Sequence, residues 1–63
     1  MILLATFEWL QEYPTGGLVK WKTKNEVIIG DTEADIKDEI DKILNDNQCG
    51  YRKYISLKEL KRI

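Results

Sequence analysis

The 63 residues are enough for one domain, residues 1–63, and a domain of that size buries only about 60% of the surface its unfolded chain exposes. The composition, 43% hydrophobic and 33% charged, is that of a globular chain and argues against disorder. A net charge of −1 gives no overall pull toward nucleic acid or anionic lipid.

The opening run, Met1 to Ala5, is apolar but short. It lacks a basic flank, so it predicts neither a secretory signal nor a membrane span, and a membrane is not expected as a partner. From Ile2 to about Glu12 the chain is rich in branched and aromatic residues and reads as a strand. A helix capped by Thr6 is the rival reading of residues 6–12, and Pro14 disfavours a helical Tyr13. Pro14-Thr15-Gly16-Gly17 supplies a turn with positive φ at the glycine pair, which favours a hairpin. A turn centred on Thr15 sets Trp9 opposite Trp21, Phe7 opposite Thr23, Glu8 opposite Lys22 and Leu10 opposite Lys20. A one-residue slip would set Trp9 against Lys22 and mix the two faces, so the hydrophobic pattern disfavours it.

The returning segment, "LVKWKTK" from Leu18 to Lys24, alternates lysine with other residues. Parity places Lys20, Lys22 and Lys24 on one face and Val19, Trp21 and Thr23 on the other. A stacking platform for nucleic acid needs aromatics and cations on the same surface, so Trp21 is expected in the core and the lysines in water. The segment through Val27–Ile29 reads either as one long bulged strand from Leu18 or as a second turn followed by a short strand.

The clearest element is a helix over residues 33–47. Thr32 is its N-cap, and Asp35 three residues on completes a weak capping box. Ile36, Ile40, Ile43 and Leu44 form its apolar stripe. Asp31, Glu33 and Asp35 have the first spacings of a calcium loop, but Ile36 stands where glycine is required and Lys42 where glutamate is. Helix capping accounts for the acids. Gly50 is expected at C′. The stretch Gly30 to Ile43, "GDTEADIKDEIDKI", resembles the strand-to-helix junction of HicB-type antitoxins, where Gly-Asp-Thr leads into an amphipathic helix. The likeness is confined to that stretch and does not assign the chain to the family.

Tyr51–Leu57 reads as a further strand. Beyond it, Ser56 and Glu59 have capping-box spacing, so residues 57–63 are either a short helical turn or a continuation of the strand. The sum is an α+β fold, a small two-layer sandwich with an antiparallel three- to four-stranded sheet and one helix on one face, in the order ββ(β)αβ.

The chain has no histidine and one cysteine, Cys49. That removes the commonest general base, the commonest metal ligand and the usual catalytic triads, and it precludes an intramolecular disulfide. The expectation is a non-enzymatic protein with no cofactor and no metal, in a reducing cytoplasmic setting. A thiol beside a helix C-terminus is a poor nucleophile. Residues 31–46 carry seven acids against Lys37 and Lys42, and residues 51–63 carry five bases against Glu59. The expected function is binding to another protein, as a small regulator or inhibitor of the kind phages and mobile elements encode, or self-association through a sheet edge. The alternative is nucleic-acid binding through a basic outer sheet face. Its candidate residues are Lys20, Lys22, Lys24, Arg52, Lys53 and Tyr54, and they form one patch only if the last strand lies beside the lysine strand.

Overall fold

A computed structural model describes all 63 residues. Three strands and one helix follow in the order β1 (Ile2–Glu12), β2 (Leu18–Ile29), α1 (Glu33–Asp46) and β3 (Lys53–Arg62). The sheet is antiparallel with spatial order β2-β1-β3, which is the α+β architecture expected. The last strand pairs with β1, so β1 separates it from the lysine strand.

The hairpin reading of residues 2–29 holds. Gly16 N–H donates to the Tyr13 carbonyl at 2.9 Å, and Tyr13 N–H donates to the Gly17 carbonyl at 2.8 Å. Of the glycine pair only Gly16 takes positive φ, at +92°, a conformation that costs glycine little. One long strand, Leu18 to Ile29, then returns along β1.

The register differs from the one expected. Leu10 does face Lys20, but beyond it Trp9 faces Lys22, Glu8 faces Thr23 and Phe7 faces Lys24. Trp21 is the extra residue of a bulge, and the slip that parity disfavoured holds from the bulge to the far end of the strand. The bulge brings Ile28 opposite Leu3 on the core face. An unbulged β2 would have turned Ile28 outward, and Ile28 is the residue of β2 that reaches the core. Burial at that end outweighs the cost of an unpaired residue at Trp21. Trp21 is therefore 53% exposed and not a core residue.

Residues on one side of β1, Leu3, Ala5, Phe7 and Trp9, join Ile28, Ile36 and Ile40 in the core. These are the 7 buried residues of 63. Helix α1 begins as the sequence indicates. Asp35 N–H donates to Thr32 Oγ1 at 3.2 Å, and Thr32 N–H donates to Asp35 Oδ2 at 3.3 Å. The helix ends at Asn47, whose side-chain amide donates to the Ile43 carbonyl at 2.8 Å. Gly50 is not its C′ residue. It lies three residues further on, where its carbonyl accepts from Lys53 N–H at 3.0 Å. Residues 57–62 continue β3, so Ser56 and Glu59 are strand residues and not a cap.

Gly30 joins β2 to α1. A Cβ there would stand 2.8 Å from Asp35 Cβ and 3.1 Å from Ile36 Cδ1. The close approach of the first helical turn requires glycine at this position.

The molecule is extended, 43 × 19 × 13 Å, with a radius of gyration of 13.1 Å, against about 10.6 Å for a compact chain of this length. Its accessible surface is 4674 Å², against about 4,200 Å² for a typical monomer of its mass. Both comparisons indicate surface that one helix leaves uncovered.

Candidate functional site

The side of the sheet that carries α1 is only partly covered. The helix approaches β2 more closely than β3. Between α1 and β3 an open groove of roughly 600 Å³ remains. Leu3, Leu57 and Leu60 contribute its sheet side, and Ile36, Ile40 and Leu44 its helix side. The alternation of β3 about its own bulge makes this floor. Leu57 faces Phe7 and Leu60 faces Ala5, with Lys58 as the extra residue between them. The bulge keeps both leucines on the helix side, although they are three positions apart.

The rims of the groove differ in charge. Glu33, Lys37 and Asp41 line the helix rim, while Arg62, opposite Leu3 on the helix side, lines the strand rim. The acidic and basic segments of the sequence thus face each other across an apolar floor.

The six residues singled out from the sequence do not gather on one face. Lys20 lies opposite Leu10 on the outer face, away from the helix, and its ammonium is 3.7 Å from Glu8. Lys22 and Lys24 lie beyond the bulge, opposite Trp9 and Phe7. They therefore belong to the helix side of the sheet. Lys22 Nζ is 4.8 Å from the centre of the Trp9 ring, within reach of a cation–π attraction. Lys24 Nζ is 2.9 Å from Glu26. Lys53 faces Gln11, also on the helix side.

Arg52 occupies the turn before β3 with φ +56°. Its Nε donates to Tyr51 Oη at 3.0 Å, and the guanidinium sits over the Tyr51 ring. Tyr54 is on the outer face opposite Leu10, and its hydroxyl donates to Glu12 Oε2 at 2.9 Å. That hydrogen bond, with the negative charge of Glu12 behind it, raises the Tyr54 pKa above the usual tyrosine value. Among the six, Lys20 and Tyr54 share the outer face, flanking Leu10.

The acids at the helix start are explained locally. Asp35 Oδ2 accepts from the backbone N–H of both Asp31 and Thr32. Cys49 packs against the core cluster, and its thiol donates weakly to the Asn47 carbonyl at 3.6 Å.

Sequence reasoning did not find the groove. Its leucines are ordinary apolar residues, and their role depends on which strand β3 joins. Comparison with protein-family models, with curated proteins and with solved structures finds no match. The stretch Gly30–Ile43 leads from the end of a strand into a capped helix. No helix is long and apolar enough to cross a membrane.

Proposed function

We propose that this chain is a non-enzymatic protein-binding module, a small regulator that seats an amphipathic helix of its partner in the groove between α1 and β3. The observation that carries this reading is the groove itself, with its apolar floor and its oppositely charged rims. It runs beside α1 from Glu33 to Leu44, which at 1.5 Å per residue is about three helical turns. A helix laid there would pack on α1 and on Leu57 and Leu60 at once, and it would complete the layer above the sheet. The partner helix should present acids toward Arg62 and bases toward Glu33 and Asp41.

The rival reading, nucleic-acid binding through Lys20, Lys22, Lys24, Arg52, Lys53 and Tyr54, has less support. Three of the four lysines lie on the opposite face from Lys20. Lys20 and Lys24 are answered by Glu8 and Glu26, which weakens the positive field a phosphate backbone needs.

Affinity capture from nuclease-treated lysate separates the two. The wild-type chain should retain a protein that Leu60→Glu loses. Leu60 is exposed, so the substitution should leave the fold intact, and circular dichroism checks that it does. Equal retention by both chains, or retention that vanishes with nuclease, overturns the proposal.

A further inference from the structure

The outer face of the sheet, on the side away from α1 and the groove, is as bare as the groove. Its residues fall in rows across β2, β1 and β3. Ile29 and Ile2 make the first row, with Ile63 beside them, where its N–H meets the Ile2 carbonyl. Val27, Leu4 and Lys61 make the second. At the far end stand Leu18, Leu10 and Tyr54. Val27 is 55% and Ile29 68% exposed. Side chains of this kind on a sheet face ordinarily pack against a second layer.

We infer that a second copy of this chain covers this face, giving a two-fold dimer of sheets packed outer face to outer face. The first argument is area. Three strands about 4.8 Å apart and about 37 Å long present a flat footprint of about 500 Å², and side-chain relief enlarges the accessible surface beyond it. A standard interface removes about 800 Å² per partner, so the face is of the right scale. The molecule's surplus of surface over a typical monomer of its mass points the same way.

The second argument is complementarity. A two-fold axis in the interface, perpendicular to the strands, lays the Ile2–Val27–Ile29 end of one copy over the Leu10–Leu18 end of the other. Lys61 of each copy then meets the end that carries Glu12 in the other. Some of the polar groups between the apolar ends are already answered within one chain, while Thr23, Ser56 and Glu59 stand on the same face without a side-chain partner. Glu8 pairs with Lys20, Thr6 Oγ1 donates to Asn25 Oδ1 at 2.9 Å, and Glu12 accepts from Tyr54. Covering these paired groups costs less than covering bare ones, and Glu59 is the charge a second copy must leave in water or pair.

The third argument concerns the edges, the other route to self-association. Both free edges are guarded. β2 is bulged at Trp21 among Lys20, Lys22 and Lys24, and β3 is bulged at Lys58 ahead of Lys61 and Arg62. Bulges and lysines at an edge oppose strand addition, so the face is the better surface for a second copy.

Sedimentation velocity on the full chain, from low to high micromolar, tests this. The expected result is a species of twice 7.4 kDa that grows with concentration, together with a thermal midpoint that rises with concentration. Ile29→Lys should weaken dimerisation by about tenfold or more and leave the circular dichroism spectrum unchanged. Leu60→Glu, in the groove on the other side, should dimerise as wild type does. A monomer throughout the concentration range with a constant midpoint overturns the inference, as does a dimer that Ile29→Lys leaves unchanged. Should Ile29→Lys fail to fold, Val27→Lys and the concentration dependence of the wild-type midpoint decide the matter by the same criteria.

Discussion

Trp9 and Trp21 sit in neighbouring strands, each within a run that alternates side chains, yet Trp9 is 7% exposed and Trp21 53%. The difference lies in what surrounds the strands. β1 is paired on both sides and lies under the core, so each of its alternate residues from Leu3 to Trp9 is held in place. β2 is an edge strand. It is committed to the core at one residue, Ile28, and its turn end is fixed separately by Pro14–Gly17. The two anchors demand registers that differ by one, and the bulge at Trp21 reconciles them. Alternation in a sequence thus reports a face only where the strand has no freedom to shift.

Substitutions can press on this comparison from both sides. Phe7 is fully buried at the centre of β1. Phe7→Ala should destabilise the fold by about 3–5 kcal/mol, comparable with the whole stability of so small a core. Urea unfolding followed by circular dichroism should show little or no native baseline. A variant that unfolds as cooperatively as wild type would mean that β1 is not the organising strand.

Gly30 comes next. It ends the stretch over which β2 follows the core register. Gly30→Ala forces a methyl against Asp35 Cβ and Ile36 and should cost about 1–3 kcal/mol by overpacking, read as a lower urea midpoint at unchanged slope. An unchanged midpoint would show that α1 can shift away from β2 at no cost.

The smallest effect belongs to Trp21. Trp21→Thr should move stability by no more than about 0.5 kcal/mol. The tryptophan emission that remains, from Trp9, should be poorly quenched by acrylamide. A large loss on removing Trp21 would mean that the bulge is held by its side chain and not by its two anchors.

Much of the architecture was legible in the residues. Thr32 and Asp35 marked the helix start because a cap is a local hydrogen-bond pattern, and that pattern is present in full. Phe7 and Trp9 share a face by parity and both lie in the core, because the central strand obeys strict alternation. Three features were not legible, each for a physical reason. A long bulged strand is one of the two readings of Leu18–Ile29 and is the one found, but the place of the bulge reflects a contest between Ile28 and the turn, and nothing near Trp21 announces it. The Ser56–Glu59 spacing imitates a cap, but the pairing of β3 with β1 outweighs local propensity. The position of β3 beside β1 decides both that Lys20, Lys22 and Lys24 have no basic strand next to them and that Leu57 and Leu60 floor a groove. Strand order is a property of the assembled sheet, and no short segment encodes it.

The order β2-β1-β3 also has a consequence in time. The strand at the middle of the sheet is made before both of its neighbours, and one of them follows only after the helix. Leu3 pairs with Ile28 within a hairpin, but on its other side it pairs with Arg62. As the chain leaves the ribosome, β1, β2 and α1 can assemble by short loop closures. Until β3 emerges, β1 keeps one flank of backbone donors and acceptors open beside the apolar residues that will become the core. Contacts that span almost the whole chain form slowly, and an open flank of this kind accepts a strand from a neighbouring molecule as readily as its own. The permanent edges carry bulges and lysines. The transient one carries neither, so the speed with which β3 arrives is its protection.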